Sequence, residues 1–168
     1  MIFVTVGTHE QQFNRLLEII DLFISKAIIQ EEVIAQTGYS TYEPLYYKCS
    51  RFFSYNDMLD LIKKARIVIT HGGPATLFQC WMNSKIPIVF PRDPKYKEHV
   101  DEHQLFFAER LKKSNLALVA FNEKDLEYNI RNYEEICNSQ KILTLNSNIA
   151  QVVGKCIEER IIKNISQE

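Results

Sequence analysis

The sequence has few of the residues that mark specialised classes of protein. Its 168 residues contain 5 glycines, 5 prolines and 1 tryptophan, and its 4 cysteines form no C-x-x-C pair. Cysteines spaced in this way are typical of reduced thiols in a cytoplasmic protein. The formal net charge is −1, so whole-chain charge gives no indication of a nucleic-acid binder.

Long apolar runs are also missing. No stretch approaches the roughly 20 residues of a membrane-spanning helix, and an apolar strand pattern follows Met1 directly. We therefore expect neither a membrane span nor a signal peptide, which leaves peripheral attachment to a membrane open. A content of 46% hydrophobic and 24% charged residues is that of one ordinary globular domain, residues 1–168.

Two nucleotide-binding motifs are absent. The chain contains neither the dinucleotide fingerprint G-x-G-x-x-G nor the P-loop G-x-x-x-x-G-K-[ST]. The sequence therefore does not contain the motifs that usually indicate hydride transfer or ATP hydrolysis.

Strand and helix patterns alternate along the chain. This order predicts an α/β domain with a single Rossmann-like, mostly parallel sheet that is covered by helices on both faces. Residues 38–48 are expected to form a tyrosine-rich loop, Asn56 or Asp57 to cap a helix, residues 98–113 to be helical, and residues 122–168 to form a helical C-terminal segment. The predicted strands are 2–6, 32–37, 50–54, 66–70, 86–90 and 116–121.

The segment IVITHGGPAT (residues 67–76) is the most informative stretch. It predicts a strand, a tight glycine turn and a helix that begins at the turn. Unpaired N–H groups and the positive end of the helix dipole make such a turn a cradle for phosphate or diphosphate. Thr76 can add a hydroxyl donor, and Gln79, one turn further on, can bond a ribose. A tight strand–helix connection without a ligand is the alternative.

The polar run at residues 91–104 has two interpretations besides that of a solvated loop. In a parallel sheet it lies at the edge where ligands bind, together with Gly7 and the glycine turn. Its residues HVDEH (99–103) also match the inverted zinc-protease motif. In that reading His99 and His103 would ligate zinc and Glu102 would act as base, while Glu134, Glu135 or another downstream acid could supply a third ligand.

Three separated motifs resemble a known family. MIFVTVGTH (1–9), HGG (71–73) and IVFPRDPKYKEHVDEHQ (88–104) are similar to the catalytic subunits of two-component, PssE-like glycosyltransferases of bacterial exopolysaccharide and capsule synthesis. These subunits are in turn similar to the C-terminal, donor-binding domain of MurG, and the resemblance covers roughly residues 1–121.

The resemblance implies half of a GT-B enzyme. This chain would hold a UDP-sugar, and a separate, membrane-associated PssD-like subunit would hold a lipid-diphosphate-linked saccharide acceptor. The chain would then be cytoplasmic and recruited to the inner face of the cell membrane by that partner. An apolar stripe within residues 149–165 is a candidate docking surface, although packing within the chain explains it equally well.

The family's roles can be carried over residue by residue. The resemblance implies that Gly7 and Thr8 face the diphosphate. Other residues implied to bind the donor there are His71, Gly72, Gly73, Ala75 and Thr76. Residues SYNDM (54–58), with Tyr55 and Met58, would read the uracil. Gln79 stands where many relatives carry a glutamate for the ribose, and an uncharged amide makes that bond weaker. Asp101, His103 and Gln104 would contact the sugar.

The implied reaction is a single inverting displacement at C1 of the sugar, with galactose the favoured hexose. No D-x-D motif is present, so we expect no metal ion and no cofactor. The helix dipole, backbone N–H groups and a cation such as Arg92 or Lys95 would stabilise the leaving diphosphate. His9 or Glu10 could act as general base, unless the partner supplies it. A UDP-sugar-binding or regulatory subunit without catalysis remains the alternative function.

Overall fold

The computed structural model of the chain describes residues 1–139, in which strands and helices alternate. The elements in chain order are β1 (Ile2–Thr5), α1 (Asn14–Ser25), β2 (Val33–Gln36), β3 (Lys48–Ser50), α2 (Tyr55–Lys64), β4 (Ile67–Thr70), α3 (Pro74–Met82), β5 (Ile88–Val89), a 3-10 turn (Pro94–Tyr96), α4 (His103–Lys113), β6 (Leu118–Val119), α5 (Glu123–Arg131) and α6 (Tyr133–Ser139).

The six strands form one parallel sheet in the order β3-β2-β1-β4-β5-β6. The predicted Rossmann-like α/β fold is therefore confirmed. The order runs outward in both directions from the neighbouring strands β1 and β4, which makes the gap between their carboxyl ends the topological switch point. Ligands of open α/β sheets bind in the crevice at this point.

Alternating strand residues bury both faces of the sheet. On one face Ile2 and Val4 of β1 pack with residues of α1 and α5, such as Leu16 and Leu126. On the other face Phe3 packs with Ile62 of α2 and with a residue of α3. A third cluster joins β5 and β6 to α3 and α4. Because the central strands are covered on both sides, they are continuous apolar runs rather than alternating ones.

Helix α2 begins earlier than the sequence predicts. The cap is Ser54, whose hydroxyl accepts a hydrogen bond from the Asp57 N–H at 3.2 Å and donates one to the Asp57 carboxylate at 2.7 Å. The prediction that Asn56 or Asp57 caps this helix is wrong, because the Ser54 side chain accepts from the Asp57 N–H and so caps the first turn. Strand β3 correspondingly lies at Lys48–Ser50 rather than at 50–54.

Helix α4 begins later than predicted, at His103 rather than near residue 98. Lys97 takes a left-handed backbone conformation with φ of 59° after the 3-10 turn, which interrupts helical geometry. The Asp101 carboxylate then accepts a hydrogen bond from the His103 N–H at 3.0 Å and so marks the start of the helix.

The tyrosine-rich loop between β2 and β3 is held by polar side chains of α1. Buried Asp21 accepts hydrogen bonds from the Tyr42 hydroxyl at 2.7 Å and from the N–H groups of Leu45 and Tyr46 at 2.7 and 3.0 Å. The Asp21 carboxylate, through its hydrogen bond, raises the pKa of Tyr42 to about 12. One buried carboxylate thus replaces the ladder hydrogen bonds that this loop lacks.

No helix within residues 1–139 is long and apolar enough to cross a membrane. The thiols of Cys49, Cys80 and Cys137 are free. Helices α5 and α6 occupy the first part of the predicted helical C-terminal segment. The predicted apolar stripe within 149–165 lies outside the described residues.

Replacing Asp21 with alanine should loosen this loop. The Asp21→Ala variant loses about 2–3 kcal/mol of unfolding free energy, because two amides and a hydroxyl lose their common acceptor. Urea unfolding measures the loss, and limited proteolysis checks that the cuts fall within residues 38–48. Glu18→Ala, at an exposed position of the same helix, is the control and should change stability little. Equal midpoints for the two variants would contradict this role of Asp21.

Candidate functional site

Two matching glycine turns flank the switch point. Strand β1 ends at Thr5, whose hydroxyl accepts a hydrogen bond from the Gly7 N–H at 3.2 Å. Strand β4 ends at Thr70, whose hydroxyl accepts one from the Gly72 N–H at 3.3 Å. The φ angles of Gly7 and Gly72 are 78° and 92°, a region that only glycine adopts without strain. The two turns therefore leave the sheet in the same way, side by side.

The imidazole of His71 fills the space between the two turns. A Cβ atom built on Gly7 would lie 2.4 Å from the His71 ring, and one built on Gly73 would lie 2.5 Å from it. Desolvation, assisted by the charge of Arg92, lowers the pKa of His71 to about 4. His71 is therefore neutral at pH 7 and separates the turns as a packed spacer, in addition to any contact with a ligand.

The N-terminus of α3 is open. Gly73 is the N-cap and offers no side chain, and Pro74 occupies the first helical turn. Ala75 is exposed and Thr76 half-buried at the next two positions. Their N–H groups have no partner within the helix, whose first intrahelical bond runs from Leu77 to the Gly73 carbonyl at 3.1 Å. This end of α3 has the geometry of an anion cradle.

Arg92 has a different place from the one the sequence predicts. Its side chain is 0% exposed, and its guanidinium donates hydrogen bonds to the carbonyl oxygens of Val6, Gln11, Gln12 and Glu98 at 2.8–3.0 Å. Desolvation lowers its pKa to about 10, so it remains charged at pH 7. The prediction that Arg92 contacts the diphosphate is wrong in this structure, because the side chain is buried and both Nη1 and Nη2 donate to backbone carbonyls.

A buried ion pair next to Arg92 was not predicted. The fully buried carboxylate of Glu98 accepts from Arg15 at 2.7 and 2.8 Å and from the Asp93 N–H at 2.9 Å. Arg15 also lies 4.4 Å from the ring centre of Phe90 and 4.6 Å from that of Tyr96. Because Arg and Glu are usually exposed, nothing in their spacing signals this burial. The pair fixes the first half of residues 91–104 on α1.

The structure brings Tyr55 and Gln79 together. Gln79 donates a hydrogen bond from its amide to the Tyr55 hydroxyl at 3.0 Å, which links the start of α2 to α3. Met58, one turn into α2, packs against the core beneath the sheet. The predicted nucleoside residues therefore lie on neighbouring helices.

Histidines cluster at the same edge, after β1 and around the start of α4. The rings of His9 and His99 are 4.6 Å apart, and so are those of His99 and His103. Asp101 hydrogen-bonds the His103 ring and lies 3.3 Å from His99 Nδ1. Desolvation, with the charges of His99 and Arg92, lowers the pKa of His9.

The remaining predicted residues at this edge divide into two groups. Thr8 and Glu10 are exposed beside His9. Gln104 is half-buried and accepts a hydrogen bond from the Arg92 N–H at 3.4 Å, so it is tied to the loop that it follows.

The zinc-protease hypothesis is wrong. It requires His99 and His103 on one helix face, but α4 begins only at His103. Glu134, one of the proposed third ligands, pairs with Arg66 at 3.1 Å. Arg66 precedes β4, so this pair lies at the opposite edge of the sheet from the histidines.

A cavity of about 450 Å³ opens at that opposite, amino edge. Its lining includes Ile29, Glu31, Arg66 and Arg131. The Arg66 guanidinium already pairs with Glu31, and this bond helps to lower the pKa of the glutamate. The cavity lies away from the carboxyl ends of the strands, so we do not place the functional site there.

Known proteins share this architecture. The chain is similar to the crystal structure of the glycosyltransferase of kitacinnamycin (TM-score 0.59, 14% identity, 85% of this chain and 36% of that one). It is also similar to the spinosyn forosaminyltransferase SpnP, with a TM-score of 0.55 and 18% identity over 99% of this chain and 42% of that one. For the calicheamicin glycosyltransferase CalG4 the TM-score is 0.51 and the identity 12%, over 94% of this chain and 42% of that one. The chain thus spans about two fifths of the length of these structures. No curated protein sequence matches it significantly.

The fold and its switch point define the class: a single Rossmann-like domain that matches the C-terminal half of GT-B glycosyltransferases. Residues 1–160 match the model of the glycosyltransferase family 28 C-terminal domain. The chain belongs to this family.

The contact between His71 and Gly73 can be tested by a double-mutant cycle. Gly73→Ala should destabilise the protein because its new Cβ meets the imidazole, although φ at this residue is an ordinary −59°. In a His71→Ala background the same change should cost at least about 1 kcal/mol less, as measured by urea unfolding.

Gly72→Ala is the matched control for this cycle. Its Cβ would lie 2.9 Å from Val89 and its φ is 92°, so removing the imidazole should not rescue it. Equal costs of Gly73→Ala in both backgrounds would contradict the role of His71 as a spacer.

Arg92→Lys should destabilise the protein by about 3 kcal/mol or more. The planar guanidinium donates to four carbonyl oxygens, whereas the ammonium of lysine has only three N–H donors. At least one of these carbonyl oxygens would therefore lose its donor. Thermal and urea unfolding measure the effect. Arg110→Lys, at an exposed position on α4, controls for the change of residue type and should be close to neutral. A stability loss no larger than that of the control would show that Arg92 does not hold the loops.

Proposed function

We propose that this chain is the donor-binding half of an inverting glycosyltransferase that transfers a hexose from a UDP-sugar. The observation that carries the proposal is the pair of glycine turns at the switch point, beside the open N-terminus of α3, in a chain of this family. Both turns lie at the ligand-binding edge of the sheet, and the first N–H groups of α3 have no partner within the helix, as a diphosphate site requires.

The diphosphate would lie across the two turns. Gly7 and Thr8 approach it from the first turn, and Gly72 and Gly73 approach it from the second. Ala75 and Thr76 supply N–H groups at the positive end of the α3 dipole, with the Thr76 hydroxyl as a further donor. The neutral His71 ring packs between the two turns.

The nucleoside and the sugar would lie on opposite sides of this diphosphate site. The hydrogen bond between Gln79 and Tyr55 supports a nucleoside site on α2 and α3, with Tyr55 and Met58 near the uracil and Gln79 at the ribose. On the other side Asp101, His103 and Gln104 would contact the sugar.

In the proposed mechanism the acceptor hydroxyl attacks C1 of the sugar, the C1–O bond to UDP breaks, and the electron pair leaves with the diphosphate. The backbone N–H groups, the helix dipole and the exposed Lys95 stabilise the charge that develops there. His9 takes the hydroxyl proton. Its lowered pKa keeps a neutral imidazole available at pH 7, with Glu10 or a group of the partner as the other candidate base.

The proposed enzyme also contains an acceptor-binding half. The chain spans about two fifths of the structures it resembles. We propose a PssD-like, membrane-associated subunit that presents a lipid-diphosphate-linked saccharide, with galactose as donor sugar, in capsule or exopolysaccharide synthesis. The partner would recruit this chain to the inner face of the cell membrane.

A UDP-sugar-binding or regulatory subunit is the second candidate function. Gln79 favours it, because an uncharged amide holds a ribose hydroxyl less strongly than a carboxylate does. Binding of UDP does not separate the two functions, because both require it.

Co-expression with the protein encoded by the neighbouring reading frame tests the proposal. Membrane extracts receive radiolabelled UDP-galactose, UDP-glucose or UDP-GlcNAc, and lipid-linked product is counted. We expect transfer from UDP-galactose only when both proteins are present, and no loss of activity in EDTA. Full-rate transfer by the partner alone would show that this chain is not catalytic, and loss in EDTA would contradict metal-independent transfer.

His9→Ala, assayed with the partner present, tests the general base. Removal of the base should lower kcat by about 10²- to 10⁴-fold while UDP affinity stays similar. Glu109→Gln, exposed on α4 and remote from the predicted contacts, should retain the full rate. A near-normal rate for His9→Ala would assign the base to another group.

A further inference from the structure

Three side chains at the start of α4 have the arrangement of a transition-metal site. Ligating atoms of His99, Asp101 and His103 all lie within 4.8 Å of one another. An Asp101 carboxylate oxygen is 3.3 Å from His99 Nδ1 and hydrogen-bonds the ring of His103. Two imidazoles and one carboxylate therefore converge on one point, although they do not share a helix face.

The cluster combines one fixed and two adjustable ligands. His99 is 7% exposed, and its ring packs against that of His9. The preceding residue, Glu98, is anchored twice, by Arg15 through its carboxylate and by Arg92 through its carbonyl. Asp101 and His103 are 56% and 58% exposed, so they can close around an ion without moving the core.

We propose that His99, Asp101 and His103 bind one Zn²⁺ ion, with water in the remaining position. Imidazole nitrogen and carboxylate oxygen at three positions with one left open is a ligand set that Zn²⁺ accepts in tetrahedral geometry. Mg²⁺ prefers an octahedral set of oxygen ligands and does not suit imidazole. This ion is not a reagent of the proposed transfer, which needs no metal.

The site has a consequence for the donor, which rests on the proposed function. Asp101 and His103 are the residues proposed to contact the sugar. An ion that holds both side chains removes their hydrogen-bonding groups from the sugar, so Zn²⁺ and the UDP-sugar exclude each other. Zinc would then inhibit transfer, whereas EDTA would relieve that inhibition.

Titration calorimetry of the 168-residue chain with Zn²⁺ tests the site without an activity assay. The wild type should take up one equivalent saturably and should not bind Mg²⁺. Asp101→Asn and His103→Gln should each lower the Zn²⁺ affinity by more than roughly tenfold. A loss of that size already follows when a residue that only hydrogen-bonds a metal ligand is removed. Asparagine keeps an oxygen that can accept from the His103 N–H, so the start of α4 is preserved.

Two controls keep the test specific. Glu102→Gln changes an adjacent exposed acid and should leave Zn²⁺ binding within about twofold of the wild type. Titration with Co²⁺ reports the ligands by absorption, because thiolate ligation, for example by exposed Cys49, adds an intense near-ultraviolet band that a histidine–carboxylate site lacks. Unfolding midpoints of all variants check that they fold.

The possible outcomes separate this inference from the proposed function. Absence of saturable Zn²⁺ uptake, or uptake that is equal in wild type, Asp101→Asn and His103→Gln, would overturn the site. Zinc uptake that depends on the two residues supports it. If such a protein binds no UDP-sugar in the absence of Zn²⁺, the proposed function fails while the metal site stands.

Discussion

The carboxyl edge of this domain depends on one buried cation. Arg92 joins the end of β1 at Val6, the following loop at Gln11 and Gln12, and the approach to α4 at Glu98, and its guanidinium lies 4.8 Å from the ring centre of Phe13. Removing a charge from water is costly unless hydrogen bonds replace the solvent. Here four carbonyl oxygens do so at Nη1 and Nη2, while Nε is buried without a partner among residues 1–139. The guanidinium thus ties several loop carbonyls to one point, which makes the loop arrangement specific.

The shape of the candidate site follows from this arrangement. Arg92 bonds the loop after β1 at Gln11 and Gln12. The ring of His71 packs between this loop's glycine turn and the glycine turn after β4. Gly7 and Gly73 leave room for this ring because neither has a side chain. The N–H groups at the start of α3 are thus positioned before any ligand arrives. A preformed site loses less conformational freedom on binding than a flexible one does.

The features that follow from local pattern were predictable, and those that depend on burial of polar groups were not. Apolar runs of β-forming residues predicted the sheet, and the glycine turn at 71–73 lies after β4 at the carboxyl edge, as its pattern predicted. The cap of α2 was misplaced because Ser54, Asn56 and Asp57 all have cap-forming side chains, and only the packed structure selects among them. The prediction for Arg92 was wrong because arginine is usually exposed. A charged motif at the edge of a sheet therefore suggests a contact with a ligand rather than a buried residue that holds loops together.

The burial of Arg92 changes how a diphosphate could be held. With this cation committed to four backbone carbonyls, the diphosphate site within residues 1–139 consists mainly of neutral donors: backbone N–H groups, a threonine hydroxyl and the end of a helix dipole. That dipole supplies only about half a positive charge, less than the negative charge of a diphosphate. Lys95 is exposed and can move towards the ligand, but it is tethered to a different loop. Further positive charge would therefore have to come from the side of the cleft that faces α3, which in the proposed enzyme belongs to the acceptor-binding subunit. Dependence on a partner would then be electrostatic as well as steric.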